Sequence, residues 1–470
     1  MKPRSDRGFS IVIVVTMILL LLVAGVSTVS LVTQNSEMAV DRVQSGQAFY
    51  VAHAGLEYAV AKLATNPGWS GLPKPGKNAG AGAFWVLPPD TLDEQGRPLP
   101  SGRLRIVAIG SVGRAVREIS VHVAPGSIGT FVGGGVDHAG WVPEGLALAP
   151  AGDLYVTDAR EHVVRRIEPV TGIVRVVAGT GKPGSSGDGG LASDARLNAP
   201  RALSVAPGGD LLIADAEEHV VRRVSALTGN ITTIAGAGYP GTSGNGGPAT
   251  EAALHTPTGL AMSAEGDLFL AERGAHRVRC VLAASGLILP IAGSGALGYA
   301  GDNGPATSAR FHSPEGVAVA PNGDLYIADT GNHVVRRVAH ATGIVTTVVG
   351  TGTAGDAGDG GPATSALLRA PRALAFGPAG DLYIVDTGNH RVRRVERESG
   401  IITTVAGTGG PGFSGDGGAA SDARLHSPSG IAVGPSGSYF IADRVNGRVR
   451  HVTGVLSVVA WAEGDREAAR

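Results

Sequence analysis

Residues 323–338, GDLYIADTGNHVVRRV, alternate apolar and polar positions on either side of a short polar break. That is the period-2 pattern of two half-buried strands joined by a turn. The break, Thr-Gly-Asn, consists of residues that favour turns, Gly and Asn because they tolerate positive φ. Residues 343–350 (GIVTTVVG) predict a further strand. Residues 314–321 (PEGVAVAP) predict one ahead of the pair, bracketed by prolines that interrupt a ladder and so mark its ends. The block beginning at Gly323 also begins at Gly152, Gly209, Gly266 and Gly380, and in worn form at Gly437, so every step is 57 residues. Six copies without an insertion define a repeat architecture.

Four short antiparallel strands repeated six times predict a mainly β fold, with one blade of a β-propeller per repeat. The residues also resemble a known family, the NHL repeats, whose blades carry P-x-G-[VLI]-A-V followed by G-x-L-Y-I-A-D-x-x-N-x-R-[VI]. The resemblance runs from about Gly134 to Ala460. It implies a six-bladed propeller with the 314–321 type of strand innermost. A strand-like stretch at 127–135 (SIGTFVGGG) copies the outermost strand of a blade, yet 455–460 (VLSVVA) offers that strand too. The chain holds one strand more than six blades need, and either end can close the ring and remove its open edge.

Residues 1–65 follow a different pattern. Lys2, Arg4 and Arg7 precede an apolar run from Phe9 to about Val32, long enough to cross a bilayer as a helix. The basic flank places the N-terminus in the cytoplasm and the rest outside. A cleaved secretory signal usually has a shorter apolar core. Apolar positions at Val43, Phe49, Leu56 and Leu63 continue the helical spacing, with no proline until Pro67. Arg7-Gly8-Phe9-Ser10 resembles a type IV prepilin processing site, which implies cleavage after Gly8 and methylation of the new Phe9 amine. Shaft-building pilins usually carry Glu five residues into the mature chain, where this chain has Ile13. The stretch 47–63 (QAFYVAHAGLEYAVAKL) is similar instead to minor, PilX-like pilins. The expected organisation is a leader (1–8), a transmembrane and stalk helix (9–65), a linker with a small pilin-like β segment (66–127) and the propeller (128–465). Within the third segment, 103–124 predicts a hairpin that packs on the outer half of the stalk.

Composition adds exclusions. A formal charge of −1 gives no electrostatic footprint for nucleic acid. The single cysteine, Cys280, occupies the strand position held by Arg223, Arg337 and Arg394 in other repeats and reads as a strand substitution. The inter-repeat links, variations on GTGxPGxSGDGGPATSAxLxxP, match GxGxxG five times. They lack the helix and βαβ unit a dinucleotide site requires. Their aspartates (Asp188, Asp302, Asp359, Asp416) lack the further oxygen ligands of a calcium loop, and Asn245 breaks the series. Neither cofactor nor metal is expected.

His162, His219, His276, His333 and His390 recur beside Asp158, Asp215, Glu272, Asp329 and Asp386. A group made once per blade is expected to be a structural hydrogen bond, because one substrate meets one set of residues; no catalytic residue is assigned. The positions that vary carry more information. The innermost strands begin with Glu144, Arg201, Thr258, Glu315, Arg372 and Ser429, and three residues earlier lie rim positions that include His255, His312 and His426. These are the candidate ligand-binding residues, expected to ring the channel mouth on the face of the long links. Glu144–Arg201 and Glu315–Arg372 are expected there as neighbouring pairs. The functional expectation is an inner-membrane single-pass or pilus-associated protein that presents its propeller outside the cytoplasm. It would meet other pilins or secretion components, and a protein or glycan ligand. The alternative is an exported propeller enzyme, such as a metal-dependent lactonase or lyase.

Overall fold

A computed structural model describes residues 48, 51–52, 71–79, 82–88, 104–112, 115–124, 126–133, 140–168, 172–453 and 457–465. The leader residues Gly8 and Phe9 and the apolar run 9–32 lie outside them. Among the described residues, no helix is long and apolar enough to cross a membrane.

Six four-stranded antiparallel sheets form a closed ring. In the fourth blade the strands are Val317–Val319, Leu325–Asp329, Val334–Val338 and Val345–Val349, as the alternation predicts. The first strand of every blade touches the first strand of both neighbours, so these six line the axis. Closure around so narrow an axis needs small residues. A Cβ on Gly145, Gly259, Gly316 or Gly430 would collide with the backbone carbonyl of the next inner strand, and Ala202 and Ala373 occupy the same position in the other two blades.

The core lies between blades. Ala271, Val278, Phe311, Ile327 and Val345 form one of six equivalent buried clusters. The links contribute to it directly. In the third link, Ala306, Ala309 and Phe311 are at most 2% exposed, and a Cβ on Gly301 would sit 2.7 Å from Ala309 Cα. The long links are therefore wedges packed between blades, which accounts for the recurring glycine (Gly187, Gly244, Gly301, Gly358, Gly415) that faces a buried alanine (Ala195, Ala252, Ala309, Ala366, Ala423) in each.

The last blade consists of Gly430–Val433, Tyr439–Asp443, Arg448–Val452 and the N-terminal strand Ile128–Gly133. The stretch 455–460 does not close it. Ser457–Asp465 pairs instead with Ala115–Ala124, at the end of a five-stranded sheet whose other strands are Leu72–Ala79, Gly82–Val86 and Leu104–Val112. Strand length explains the choice, since nine residues match the ten-residue hairpin arm and not the five-residue strands of a blade. The propeller thus ends at 453, not 465, and is inserted between two adjacent strands of the small sheet. Its two tethers run side by side, joined by Ser127 Oγ and Thr453 Oγ1 at 2.9 Å.

The small sheet has a helical neighbour. Ala48, Val51 and Ala52 are helical and buried, and Gly110 lies so close that a Cβ there would collide with the backbone of Ala48 and Ala52. Gly110, in the first arm of the hairpin, is thus in direct contact with these helical residues, while the rest of the expected stalk (9–65) lies outside the described residues.

Candidate functional site

The repeated polar groups come first, because every blade uses them. Each His sits at a left-handed turn position (His333 at φ +60°), and in the second to fifth repeats it follows a single 3-10 turn such as Thr330–Asn332. Its Nδ1 accepts a hydrogen bond from the start of the next blade: Ala199 N on His162 at 3.0 Å, Thr256 N on His219 at 3.2 Å, and Ser313, Ala370 and Ser427 likewise. An acceptor Nδ1 requires a neutral imidazole. Burial holds His219, His276, His333 and His390 below the usual histidine range. Gly447 stands at the sixth position, at the seam that the N-terminal strand closes.

The carboxylates beside these histidines are fully buried. Asp329, Asp386 and Asp443 each accept a backbone N–H of the neighbouring link and the Nδ2 of Asn332, Asn389 or Asn446. Asp215 lacks that Asn: Glu218 replaces it and bonds Asn198 instead, which leaves Asp215 Oδ2 without a partner. Burial pushes Asp215 up to about 8, against about 7 for Asp329 and about 6 for Asp386.

The sequence shows Arg pairs but not that the first of each is buried. Arg222, Arg279, Arg336, Arg393 and Arg450 are 0% exposed. Each of the four preceded by a link aspartate donates to it: Arg222 to Asp188 at 2.5 Å, Arg336 to Asp302 at 2.6 Å, Arg393 to Asp359 at 2.7 Å and Arg450 to Asp416 at 2.6 Å. These aspartates are ion-pair partners of the next blade. In the third blade Asn245 replaces the aspartate, and the one glutamate of the buried series compensates. Glu272 reaches Arg279 Nε at 2.5 Å and Nη2 at 2.9 Å. The second Arg of each pair points outward to the first Asp of its hairpin, as Arg337 does to Asp324 at 3.8 Å. Cys280 at that position is buried, and burial pushes its thiol up to about 12, which removes thiolate reactivity.

The varying positions come together at the channel. Glu144, Arg201, Thr258, Glu315, Arg372 and Ser429 line a space of about 90 Å³ at the axis. Glu144, Thr258, Glu315 and Ser429 are buried, while both arginines are half-buried. Arg372 pairs with Glu315 at 3.2 Å, as expected, but also reaches past one blade to Glu144 at 3.9 Å. The neighbouring pair Glu144–Arg201 does not form. Arg444 holds Glu144 at 2.5 Å and Arg273 holds Glu315 at 3.3 Å. Arg201 makes no side-chain hydrogen bond or ion pair among the described residues, and its Nε is buried without a partner.

This arrangement follows a second, longer period in the sequence. The inner strands begin PEG, PRA and PTG, then PEG, PRA and PSG. Glu144/Glu315, Arg201/Arg372 and Thr258/Ser429 are each 171 residues apart, three times the repeat. Arg273 and Arg444 obey the same spacing. The mouth is a pseudo-twofold ring, and its symmetry is broken where Arg372 engages both glutamates and Arg201 engages none.

The rim histidines lie outside this ring. His255, His312 and His426 make edge contacts with His219, His276 and His390, with centroids 5.9, 6.2 and 5.6 Å apart. His255 and His312 pack over Gly274 and Gly331, where a Cβ would collide with the imidazole. Among the described residues no group of three or more His, Cys, Asp or Glu side chains is placed to hold a metal. At the opposite end a wider cavity of about 720 Å³ is lined by Met262, Phe269, His340 and Phe376 among others.

Residues 311–337 and 368–395 match the NHL repeat. Over 287 residues the chain is 28% identical to Protein SUPPRESSOR OF QUENCHING 1, chloroplastic, of Arabidopsis thaliana, covering 57% of this chain and 26% of that protein. It is 27% identical over 290 residues to NHL repeat-containing protein 2 of Bos taurus, covering 56% and 40%. The chain therefore spans well under half the length of these curated relatives. Among solved structures, an auxiliary nutrient binding protein from Bacteroides thetaiotaomicron superposes with a TM-score of 0.51 at 17% identity, covering 80% of this chain and 95% of that one. That likeness shows the fold. The chain carries NHL repeats arranged as a six-bladed propeller.

Proposed function

We propose that this protein is a membrane-tethered, minor-pilin-like presenter, with its propeller outside the cytoplasm and the long-link face as its binding surface. The observation that carries the reading is the insertion of the propeller into a small sheet that rests on helical residues Ala48 and Ala52 through Gly110. Both tethers of the ring leave from one sheet, so the sheet and its helix act as a mount. The apolar run that begins at Phe9 precedes that helix in the chain. The groups repeated in every blade support the same reading, because His Nδ1 atoms, buried aspartates and buried arginines are engaged in holding blades together. What differs between blades is concentrated at the channel mouth, where a partner can be recognised. A protein or glycan ligand meets these requirements.

Cell fractionation of the wild type and Gly8→Ala tests the tethering. Leader processing predicts that the wild type reaches the surface or pilus fraction, while the variant accumulates uncleaved in the cytoplasmic membrane. Equal distribution of the two would overturn it. The alternative of an exported lactonase or lyase is distinguished by divalent-cation binding through unlike blades, measurable by calorimetry on the chelator-treated protein.

A further inference from the structure

We propose that the channel mouth takes the carboxylate of an acidic ligand, and that Arg201 is the residue that grips it. The inference deepens the binding-surface reading above and rests on it. Four guanidinium groups surround the mouth (Arg201, Arg273, Arg372 and Arg444) against two carboxylates, Glu144 and Glu315. Both carboxylates are satisfied by the other three arginines. Arg201 lines the axial space of about 90 Å³, and its Nε is buried with no acceptor. Arg337 and Arg394 share an unpartnered Nε yet keep ion pairs with Asp324 and Asp381; what sets Arg201 apart is a guanidinium with no ion pair among the described residues, and a planar carboxylate offers two oxygens in the geometry of that fork.

The space suits the group. At about 90 Å³ it is far smaller than the ~300–1,000 Å³ of a pocket that encloses a whole small-molecule ligand, so it takes the carboxylate while the rest of the ligand lies across the rim. The rim positions there differ from blade to blade, with Asn198, His255 and His312 in successive links. Pseudo-twofold symmetry sharpens the argument, because Arg372, the counterpart of Arg201, already shows the occupied state. It binds a carboxylate of a neighbouring inner strand at 3.2 Å. Arg201 has the same inner-strand setting, and both glutamates of the ring are already held by other arginines.

The test uses the full-length protein in detergent micelles and saturation-transfer NMR of glucuronate and glucose, which differ by one carboxylate. Glucuronate is expected to give a saturable signal, with glucose at background. Acetate should compete with it. Arg201→Gln should weaken glucuronate binding about tenfold or more, the scale of one charge-assisted hydrogen bond. Arg223→Gln removes an equal charge from an outer strand position and should leave binding unchanged, with unaltered melting of both variants reporting the fold. Absence of a glucuronate signal, or equal loss in Arg223→Gln, overturns the proposal, as does full binding in Arg201→Gln. Phosphate that competes as well as acetate overturns the preference for a carboxylate. These outcomes are independent of Gly8→Ala fractionation, so failure of the anion site and failure of the tethering are distinguishable.

Discussion

The third blade offers a sharp perturbation, Glu272→Asp. Arg279 and Glu272 are both 0% exposed and share two hydrogen bonds, at 2.5 and 2.9 Å. Shortening the acid by one methylene withdraws it toward the geometry seen elsewhere, where Asp329 lies 4.0 Å from Arg336 and Asp443 lies 3.5 Å from Arg450. Those blades tolerate the distance because a link aspartate supplies the charge. Here Asn245 offers Arg279 only a neutral oxygen at 3.3 Å. Two charge-assisted bonds are weakened around a buried cation, while the Ser243 and Ala253 carbonyls still accept. The expected loss is about 2–4 kcal/mol, below the ~3–5 kcal/mol of removing one partner of a buried pair outright. Asn245→Asp in the same chain should restore most of it, because it rebuilds the Asp302–Arg336–Asp329 arrangement. Urea unfolding of the wild type, both single variants and the double variant gives the coupling energy. A neutral Glu272→Asp, or a double variant no more stable than Glu272→Asp, would refute the reasoning.

Three further outcomes follow. The histidine latches predict that stability falls as pH drops below the ordinary 6.5, because burial lowers the folded pKa and the unfolded chain takes up protons first. His333→Asn, which keeps the left-handed turn but not the reach to Ala370 N, should cost about 1 kcal/mol at pH 8 and flatten the acid limb of a pH–melting curve. Asp215 works in the opposite direction. Its folded pKa of about 8 exceeds the unfolded 3.8, so its contribution is complete at low pH and lost as pH rises from about 4 to 8. Glu218→Asn supplies the missing donor and should raise the melting temperature at pH 8 relative to that at pH 5, compared with the wild type, a comparison that cancels the pH-independent loss of the Asn198 bond. Finally, Gly110→Val would drive a side chain into Ala48 and Ala52, and should accelerate proteolytic cleavage N-terminal to Gly71 while the melting of the propeller stays unchanged.

The ring itself was legible because period and alternation are local properties of the chain. The 57-residue step, the proline brackets and the Asp-x-x-x-His turn placed four strands per blade and put links and turns on one face. Which end closes the ring was not legible, since 127–135 and 455–460 carry the same alternation. Strand length and pairing with Ala115–Ala124 decided it, and both are long-range. The buried arginines escaped notice because a charge in a strand normally marks a solvated face. A 34-residue spacing from each link acid to its arginine, unbroken except at Asn245, was the available signal. At the mouth the register of the repeat places the six residues around one space, but sequence adjacency points to Glu144–Arg201, a pair that does not form. Side-chain reach across a narrow axis let Arg372 take both carboxylates, and that was visible only in three dimensions.

The account depends most on what stands at the start of the mature chain. Mass spectrometry of the N-terminal peptide, from protein purified out of the membrane or surface fraction, measures it directly. The account predicts a chain that begins at N-methylated Phe9 with residues 1–8 removed. A chain that retains Met1, or one that begins beyond the apolar run at about Val32, would contradict it.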